Sequence, residues 1–177
     1  KNWKIIFEKM CQNSKQNSFI LVSVASTGRV EHGTERSGNW QKAEIDFLKS
    51  LEIKSNSPNV LNYLAYGWIE RNQKIQQSFE MLTKAYEANP DSYYILDSLA
   101  WAHYKKKEYK KAAKLMEKVI DMVPGEAISL DHLGDIYLAM NRKREAIYFW
   151  KQAKDLAEPE DEITEKVKEK LRLHNAS

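Results

Sequence analysis

Residues 93–124, YYILDSLAWAHYKKKEYKKAAKLMEKVIDMVP, decide the fold of this chain. They read as two amphipathic helices joined by a short polar turn at residues 105–109. Mostly apolar residues share one face of each helix at the 3.6-residue period of a half-buried helix: Leu96, Leu99 and Ala100 with His103 in the first helix, and Ala112, Met116, Val119 and Ile120 in the second. Pro124 stands where the second helix should end. The stretch therefore predicts a helical hairpin.

The chain repeats this hairpin at an almost constant interval. Three columns of the second helix recur after 35, 34 and 34 residues, namely Ala43, Ser78, Ala112 and Ala146; Phe47, Leu82, Met116 and Trp150; and Ser50, Ala85, Val119 and Ala153. In the first helix Leu64, Leu99 and Leu133 align, each followed by a small residue, Ala65, Ala100 or Gly134. A single hairpin of this kind cannot bury its apolar face, so neighbouring hairpins are expected to stack into a repeat array.

The repeated pattern resembles the tetratricopeptide repeat, which has a leucine with a small neighbour, an aromatic residue, then Ala, a large apolar residue and Pro at a 34-residue period. The segments SGNWQKAEIDFLKSLEI and DHLGDIYLAMNRKREAIYFWKQA, starting at Ser37 and Asp131, are similar to a bacterial family of tandem tetratricopeptide proteins. That family usually has a leucine-glycine pair where Leu64-Ala65 and Leu99-Ala100 stand here. The resemblance covers about Ser37 to Leu156. It implies an all-α fold, a right-handed superhelical solenoid of antiparallel helix hairpins, and an interaction or assembly role without catalysis.

The repeat period predicts how the chain is divided. Residues 1–23 are expected to form a helical segment left from a preceding repeat, and residues 24–57 a partial or degenerate repeat, since Gly28 and Gly33 disfavour its first helix. Residues 58–92, 93–126 and 127–158 are expected to be full repeats, the first of them with one extra residue in the turn near Asn72. Residues 159–177 are expected to form a capping helix and tail, with Asp161 as the N-cap and one apolar stripe: Ile163, Val167 and Leu171.

Composition excludes several classes of protein. A net charge of +3 is too small to suggest nucleic acid, and the single Cys11 allows neither an intrachain disulfide nor a thiolate metal cluster. No apolar run approaches the roughly 20 residues of a membrane-spanning helix. Because the chain starts at Lys1 without Met, the sequence leaves the compartment open between bacterial cytoplasm and periplasm.

The candidate ligand-binding surface is the face of the first helices that lies opposite their core-facing side. In stacked hairpins these helices line the concave groove, so that face is expected to be exposed. The candidate residues are Asn59, Asn62, Tyr63, Tyr66, Tyr94, Asp97, Ser98, Trp101, Tyr104, Asp131, His132 and Asp135. Tyr and Trp anchor binding surfaces, asparagines hydrogen-bond peptide backbone, and the aspartates favour a partner with basic or donor groups. The sequence thus predicts a peptide or protein partner in this groove.

Three other site chemistries are disfavoured. Tetratricopeptide clamps for acidic chaperone tails are rich in lysine, arginine and asparagine, whereas Tyr66, Ser98, Ile128 and His132 stand at several of those positions here. Asp131, His132 and Asp135 lie within about one helical turn, yet a metal site or an acid–base pair would need further ligands from elsewhere. We therefore expect no catalytic residue, no metal and no cofactor. A run of lysines, Lys105 to Lys107, Lys110, Lys111 and Lys114, lies in and after a turn and is interpreted as a solvated face. Nucleic-acid binding is disfavoured because aromatic residues are not interleaved with these lysines as a stacking platform.

An alternative function is structural. Trp3, Ile5, Ile6 and Phe7 form an apolar N-terminal end with nothing obvious to cover it. Such an end would serve self-association or contact with further repeats of a longer protein, which makes an oligomerisation module the second hypothesis.

Overall fold

The computed structural model describes residues 40–157 and 162–175. Its secondary structure within these ranges consists of helices: α1 (Trp40–Ile53), α2 (Pro58–Glu70), α3 (Ile75–Ala88), α4 (Tyr93–Lys105), α5 (Tyr109–Met122), α6 (Ala127–Ala139), α7 (Lys143–Leu156) and α8 (Glu162–Asn175). The all-α prediction is confirmed for this part of the chain. The expectations for residues 1–39, including the apolar N-terminal end, and for the cap at Asp161 lie outside the described residues.

The helices keep the period that the sequence predicts. The helices α1, α3, α5 and α7 begin at residues 40, 75, 109 and 143, and α2, α4 and α6 begin at residues 58, 93 and 127. Four residues separate α2 from α3, whereas three separate α4 from α5 and α6 from α7. The extra residue therefore lies in the turn near Asn72, as predicted.

The hairpin turns reverse the chain through left-handed backbone. Lys107 has a φ of 62° and Asn141 a φ of 61° in the two shorter turns. The longer turn has two such residues, Asn72 with a φ of 53° and Lys74 with a φ of 45°. Since a non-glycine residue in this region costs free energy, each turn stores a small amount of backbone strain.

The chain divides into two compact units, Lys1–Ser98 and Leu99–Ser177. In the first unit α1 packs on α2, and α2 packs on α3. Leu61, Ala85 and Ile95 form a core cluster against which Leu51, Met81, Tyr86 and Tyr94 pack. Phe47, Leu64 and Leu82 are fully buried, as their repeat columns predict. Burying each of these large side chains contributes roughly 1.5–3 kcal/mol.

In the second unit α6 packs on α5, α7 and α8, and α8 also packs on α7. The glycine of the small-residue column is required here, because a Cβ atom built on Gly134 would lie 2.5 Å from Cδ1 of Trp150 and closer still to Nε1 of the same ring. Ile163, Val167 and Leu171 are buried on one side of α8, which confirms the predicted apolar stripe. Within the described ranges, no helix combines the length and apolarity that a bilayer span needs.

Candidate functional site

The candidate face is much less exposed than the sequence suggests. Four of its residues (Asn59, Tyr94, Tyr104 and Asp135) are half-buried, and the remaining eight are buried. Trp101, expected to be an exposed anchor, has only 7% of its surface exposed. The expectation of an open face is therefore wrong. The expectation assumed that a first helix is buried on one side only. In α2 every residue from Val60 to Ile69 is buried, so that helix has no water-facing side over this stretch.

In the first unit the candidate residues bond to one another. The Tyr94 hydroxyl donates a hydrogen bond of 2.9 Å to Oδ1 of Asn59, and the Ser98 hydroxyl donates to the Tyr94 carbonyl at 3.0 Å. Tyr63 stacks on Phe47 with ring centroids 6.2 Å apart. Burial raises the pKa of Tyr63, and neighbouring Tyr94 adds to that rise, so this phenol is neutral at physiological pH. Asn59 and Tyr94 are thus joined as a polar pair across two first helices.

Asn62 is the unusual polar residue of this unit. It is completely buried, and within the described part of the chain neither its amide nitrogen nor its amide oxygen has a hydrogen-bond partner. An unsatisfied buried polar group costs about 1–3 kcal/mol. A buried polar residue with such a cost is a candidate for a functional role.

In the second unit three candidate rings form one continuous stack. The Trp101 ring lies between Tyr104, at a centroid distance of 4.4 Å, and His132, at 4.0 Å. Both neighbours are nearly parallel to it, with interplanar angles of 11° and 8° respectively. The ammonium group of Lys105 lies 5.4 Å from the Trp101 ring centroid. Such stacking explains how an indole on the predicted ligand face becomes buried.

Beside this stack, two candidate carboxylates hold a lysine of the last helix. Nζ of Lys170 donates to Oδ1 of Asp131 at 2.6 Å and to Oδ2 of Asp135 at 2.8 Å. Nε1 of Trp150 donates to Oδ1 of Asp135 at 3.1 Å. We call Asp131, Asp135 and Lys170 the acidic clasp. The clasp places α8 on the candidate residues of α6.

Lys170 contacts two candidate residues, and sequence reasoning did not single it out. Only Ile163, Val167 and Leu171 were assigned from the sequence to the buried side of α8. However, Lys170 lies three residues after Val167 and directly before Leu171, which are both buried. Helical residues three apart share a face, so this spacing was the available signal.

The electrostatics of the clasp follow from its burial. Burial raises the pKa of Asp135, and the nearby charge of Asp131 raises it further, while Lys170 opposes both. Burial alone would lower the pKa of Lys170, but Asp131 and Asp135 outweigh it and raise that pKa overall. Burial likewise raises the pKa of Tyr104, with Asp135 contributing. The arrangement therefore stabilises a positive charge between two carboxylates and next to aromatic rings.

This geometry suits recognition of a cation on a side chain. The position between the carboxylates that a metal ion would take is filled by the Lys170 ammonium group. Within residues 40–157 and 162–175, no group of three or more His, Cys, Asp or Glu residues is placed to hold a metal.

Comparison with known proteins identifies the repeat. The family model described as "Tetratricopeptide repeat" matches residues 94–123, which contain most of α4 and all of α5. Residues 94–123 therefore carry a tetratricopeptide repeat. It is 25% identical over 101 residues to the TPR repeat-containing protein PA4667 of Pseudomonas aeruginosa, covering 57% of this chain and 17% of that protein. It is 28% identical over 120 residues to the TPR repeat-containing protein MJ1428 of Methanocaldococcus jannaschii, covering 68% of this chain and 21% of that one. The chain thus spans about a fifth of the length of these relatives.

Solved tetratricopeptide structures share the fold. The thermophilic TPR protein TTC0263 of Thermus thermophilus matches with a TM-score of 0.69 and 17% identity, over 91% of this chain and 81% of its own. YrrB, a TPR protein with an unusual peptide-binding site, matches with a TM-score of 0.59 and 17% identity, over 73% and 66% of the two chains. The first TPR of Spaghetti (RPAP3), bound to an HSP90 peptide, matches with a TM-score of 0.56 and 18% identity, over 68% and 94%. The predicted all-α repeat solenoid is therefore confirmed as the fold class.

Proposed function

We propose that this chain is a non-enzymatic protein-interaction module that binds a peptide or protein segment on the inner face of its tetratricopeptide helices. Two structures of the same fold support a role of this kind, since one has a peptide-binding site and another is bound to an HSP90 peptide. The proposed contact residues are the twelve candidates of the first helices. These residues form two sets, one in each compact unit of the chain.

The acidic clasp carries the proposal for the second unit. Asp131 and Asp135 already bind one primary ammonium group, and the Trp101 stack lies on the same first helices, α4 and α6. We propose that a lysine or arginine of the partner takes the place of Lys170 between these carboxylates, with its aliphatic stem against the rings. Aromatic rings attract cations and bury a large area at little entropic cost, so the combination suits a basic side chain.

For the first unit we propose that Asn59 and Asn62 bind the backbone of the partner. An asparagine amide both donates and accepts, which matches the N–H and C=O groups of an extended peptide. The unpaired amide of Asn62 gives a reason for ligand binding to be favourable there, since a peptide group would satisfy it. Tyr63, Tyr66 and Tyr94 would then have to shift in order to admit the peptide.

The test is a peptide-display selection on the whole chain, read by sequencing the retained peptides. We expect enrichment of peptides that contain lysine or arginine. The Asp131→Asn and Asp135→Asn double variant should lose that enrichment, because both neutral amides leave the cation without a counter-charge. The matched control is Asp121→Asn, an exposed carboxylate on α5, which should retain the wild-type peptides.

Two further outcomes decide the proposal. Lys170→Ala should bind the selected basic peptides more tightly than the wild type, because the competing intramolecular ammonium group is gone. If the double asparagine variant retains the same peptides as the wild type, the clasp is not the site. Selection of no peptide above background by either the wild type or Lys170→Ala would overturn the proposed function itself.

A further inference from the structure

A second surface, separate from the candidate face, lies between the last two helices. It is an open groove of about 380 Å³ lined by Lys151, Lys154, Asp155, Lys168, Leu171 and Arg172. The first three belong to α7 and the last three to α8, which pack on each other. We call it the basic groove.

The described lining of the basic groove contains four cations and one carboxylate, and Lys154 pairs with Asp155 at 3.7 Å. Lys151 is exposed and makes no ion pair with any part of the chain that the structure describes. Lys168 pairs with Glu165 at 2.7 Å, and Arg172 pairs with Glu169 at 3.1 Å. Both pairs join exposed side chains of one helix. Exposed pairs of this kind contribute about 0–1 kcal/mol, so an incoming anion can replace them at little cost.

The groove also has an apolar floor. Leu171 is one of its lining residues and belongs to the buried stripe of α8. A ligand in the groove therefore meets several positive charges and the 8% of the Leu171 surface that is exposed. That combination matches a peptide with acidic side chains on either side of an apolar one.

We propose that the basic groove is a docking surface for an acidic peptide segment of a partner protein. Carboxylates of the segment pair with Lys151, Lys154 and Arg172, and one apolar side chain of the segment contacts Leu171. This surface is independent of the clasp, because its residues come from α7 and the opposite flank of α8 rather than from the first helices.

A peptide fits the groove better than other polyanions. The lining residues that the structure describes include no aromatic ring on which a nucleotide base would stack, and single-stranded nucleic-acid sites depend on such stacking. Membrane-surface binding by basic residues requires a cluster of cations beside a broad apolar face. Among the described lining residues of this groove, Leu171 is the single apolar one.

The experiment is fluorescence anisotropy of the whole chain with a labelled decapeptide of alternating glutamate and leucine. We expect saturable binding that weakens as ionic strength rises, because exposed charges are screened by salt. The variant Lys151→Glu should weaken the affinity by about tenfold or more, and Lys151→Gln by a smaller factor. The matched control is Lys114→Glu, which reverses an exposed lysine on α5 and should change affinity less than about twofold.

Changes in the sequence of the labelled peptide test the contributions of the groove's cations and of Leu171 separately. Replacing leucine by serine in the peptide should weaken binding, because the contact with Leu171 is lost, and replacing glutamate by glutamine should abolish it. Equal losses for Lys151→Glu and Lys114→Glu would overturn the proposal, as would the absence of saturable binding. Tighter, Lys151-dependent binding of single-stranded DNA or of anionic vesicles would overturn the assignment to a peptide. Circular dichroism of each variant confirms that the fold is retained.

Discussion

The ammonium group of Lys170 lies between the carboxylates of Asp131 and Asp135, at 2.6 Å from the first and 2.7 Å from the second. These contacts join the last helix, α8, to α6. Lys170 lies 39 residues after Asp131 and 35 residues after Asp135 in the sequence. The side chains are 26% exposed for Lys170 and 11% for Asp131, so the pair is mostly removed from water. In such surroundings an ion pair that loses one partner leaves an uncompensated charge.

We therefore expect Lys170→Met to lower the free energy of unfolding by about 2–4 kcal/mol, a range set by the cost of breaking a partly buried pair. Urea denaturation followed by circular dichroism measures this change. The matched control is Lys168→Met, which removes an exposed cation that pairs with Glu165 on the same helix. It should cost less than about 1 kcal/mol. Similar losses for the two variants would show that the clasp contributes no more than a surface pair.

The clasp should also make stability depend on pH. The pKa of Asp135 is raised above 3.8, first by burial and then by the charge of Asp131. The folded state therefore binds more protons than the unfolded state between 3.8 and the folded pKa. It follows that the contribution of Asp135 to stability increases as pH falls through that folded pKa.

Asp135→Asn removes this titration while keeping the shape of the side chain. We expect the stability of the wild type relative to Asp135→Asn to be greater at about pH 4 than at neutral pH, as measured by urea denaturation at both values. Asp131, His132, Lys170 and Tyr104 face Asp135 and remain in both proteins, so the difference reports the loss of the Asp135 charge together with its interactions with these groups. A relative stability that is constant or falls toward acid would contradict the raised pKa.

The repeat fold was predictable because its signal is periodic. Phe47, Leu82, Met116 and Trp150 recur at an almost constant interval, and the structure buries all four. A helical-repeat pattern fixes which face of each helix meets its own hairpin partner. It does not fix what lies against the opposite face, and for this reason Trp101 was wrongly expected to be exposed. The Lys170 contact was missed for a related reason, since the spacing of Lys170 from Val167 places it beside the buried stripe but does not identify partners that lie about 35 residues away.

Gly134 should be intolerant of any side chain. A Cβ atom at this position would lie 2.5 Å from Cδ1 of Trp150 and closer still to Nε1, and the indole also donates to Asp135. We expect Gly134→Ala to lower the free energy of unfolding by about 1–3 kcal/mol, because overpacking displaces Trp150. Thermal denaturation tests this value.

Gly125→Ala is the control for Gly134→Ala, since a Cβ atom on Gly125 has nothing within 4 Å. There, alanine should be neutral or stabilising by up to about 1 kcal/mol, because it reduces the entropy of the unfolded chain. If Gly134→Ala were as well tolerated as Gly125→Ala, close approach of α6 and Trp150 would not be needed for stability.

The last prediction concerns the hairpin turns. Lys107 and Asn141 occupy the same turn position in successive hairpins, with φ values of 62° and 61°, and both side chains are exposed. A left-handed conformation costs an ordinary L-residue about 1–2 kcal/mol, while asparagine tolerates it better and glycine adopts it freely. Lys107→Gly should therefore stabilise the chain by about 0.5–1 kcal/mol, and Asn141→Gly by less. Urea denaturation of both variants compares the gains, and a larger gain at Asn141 than at Lys107 would contradict backbone strain as the cause.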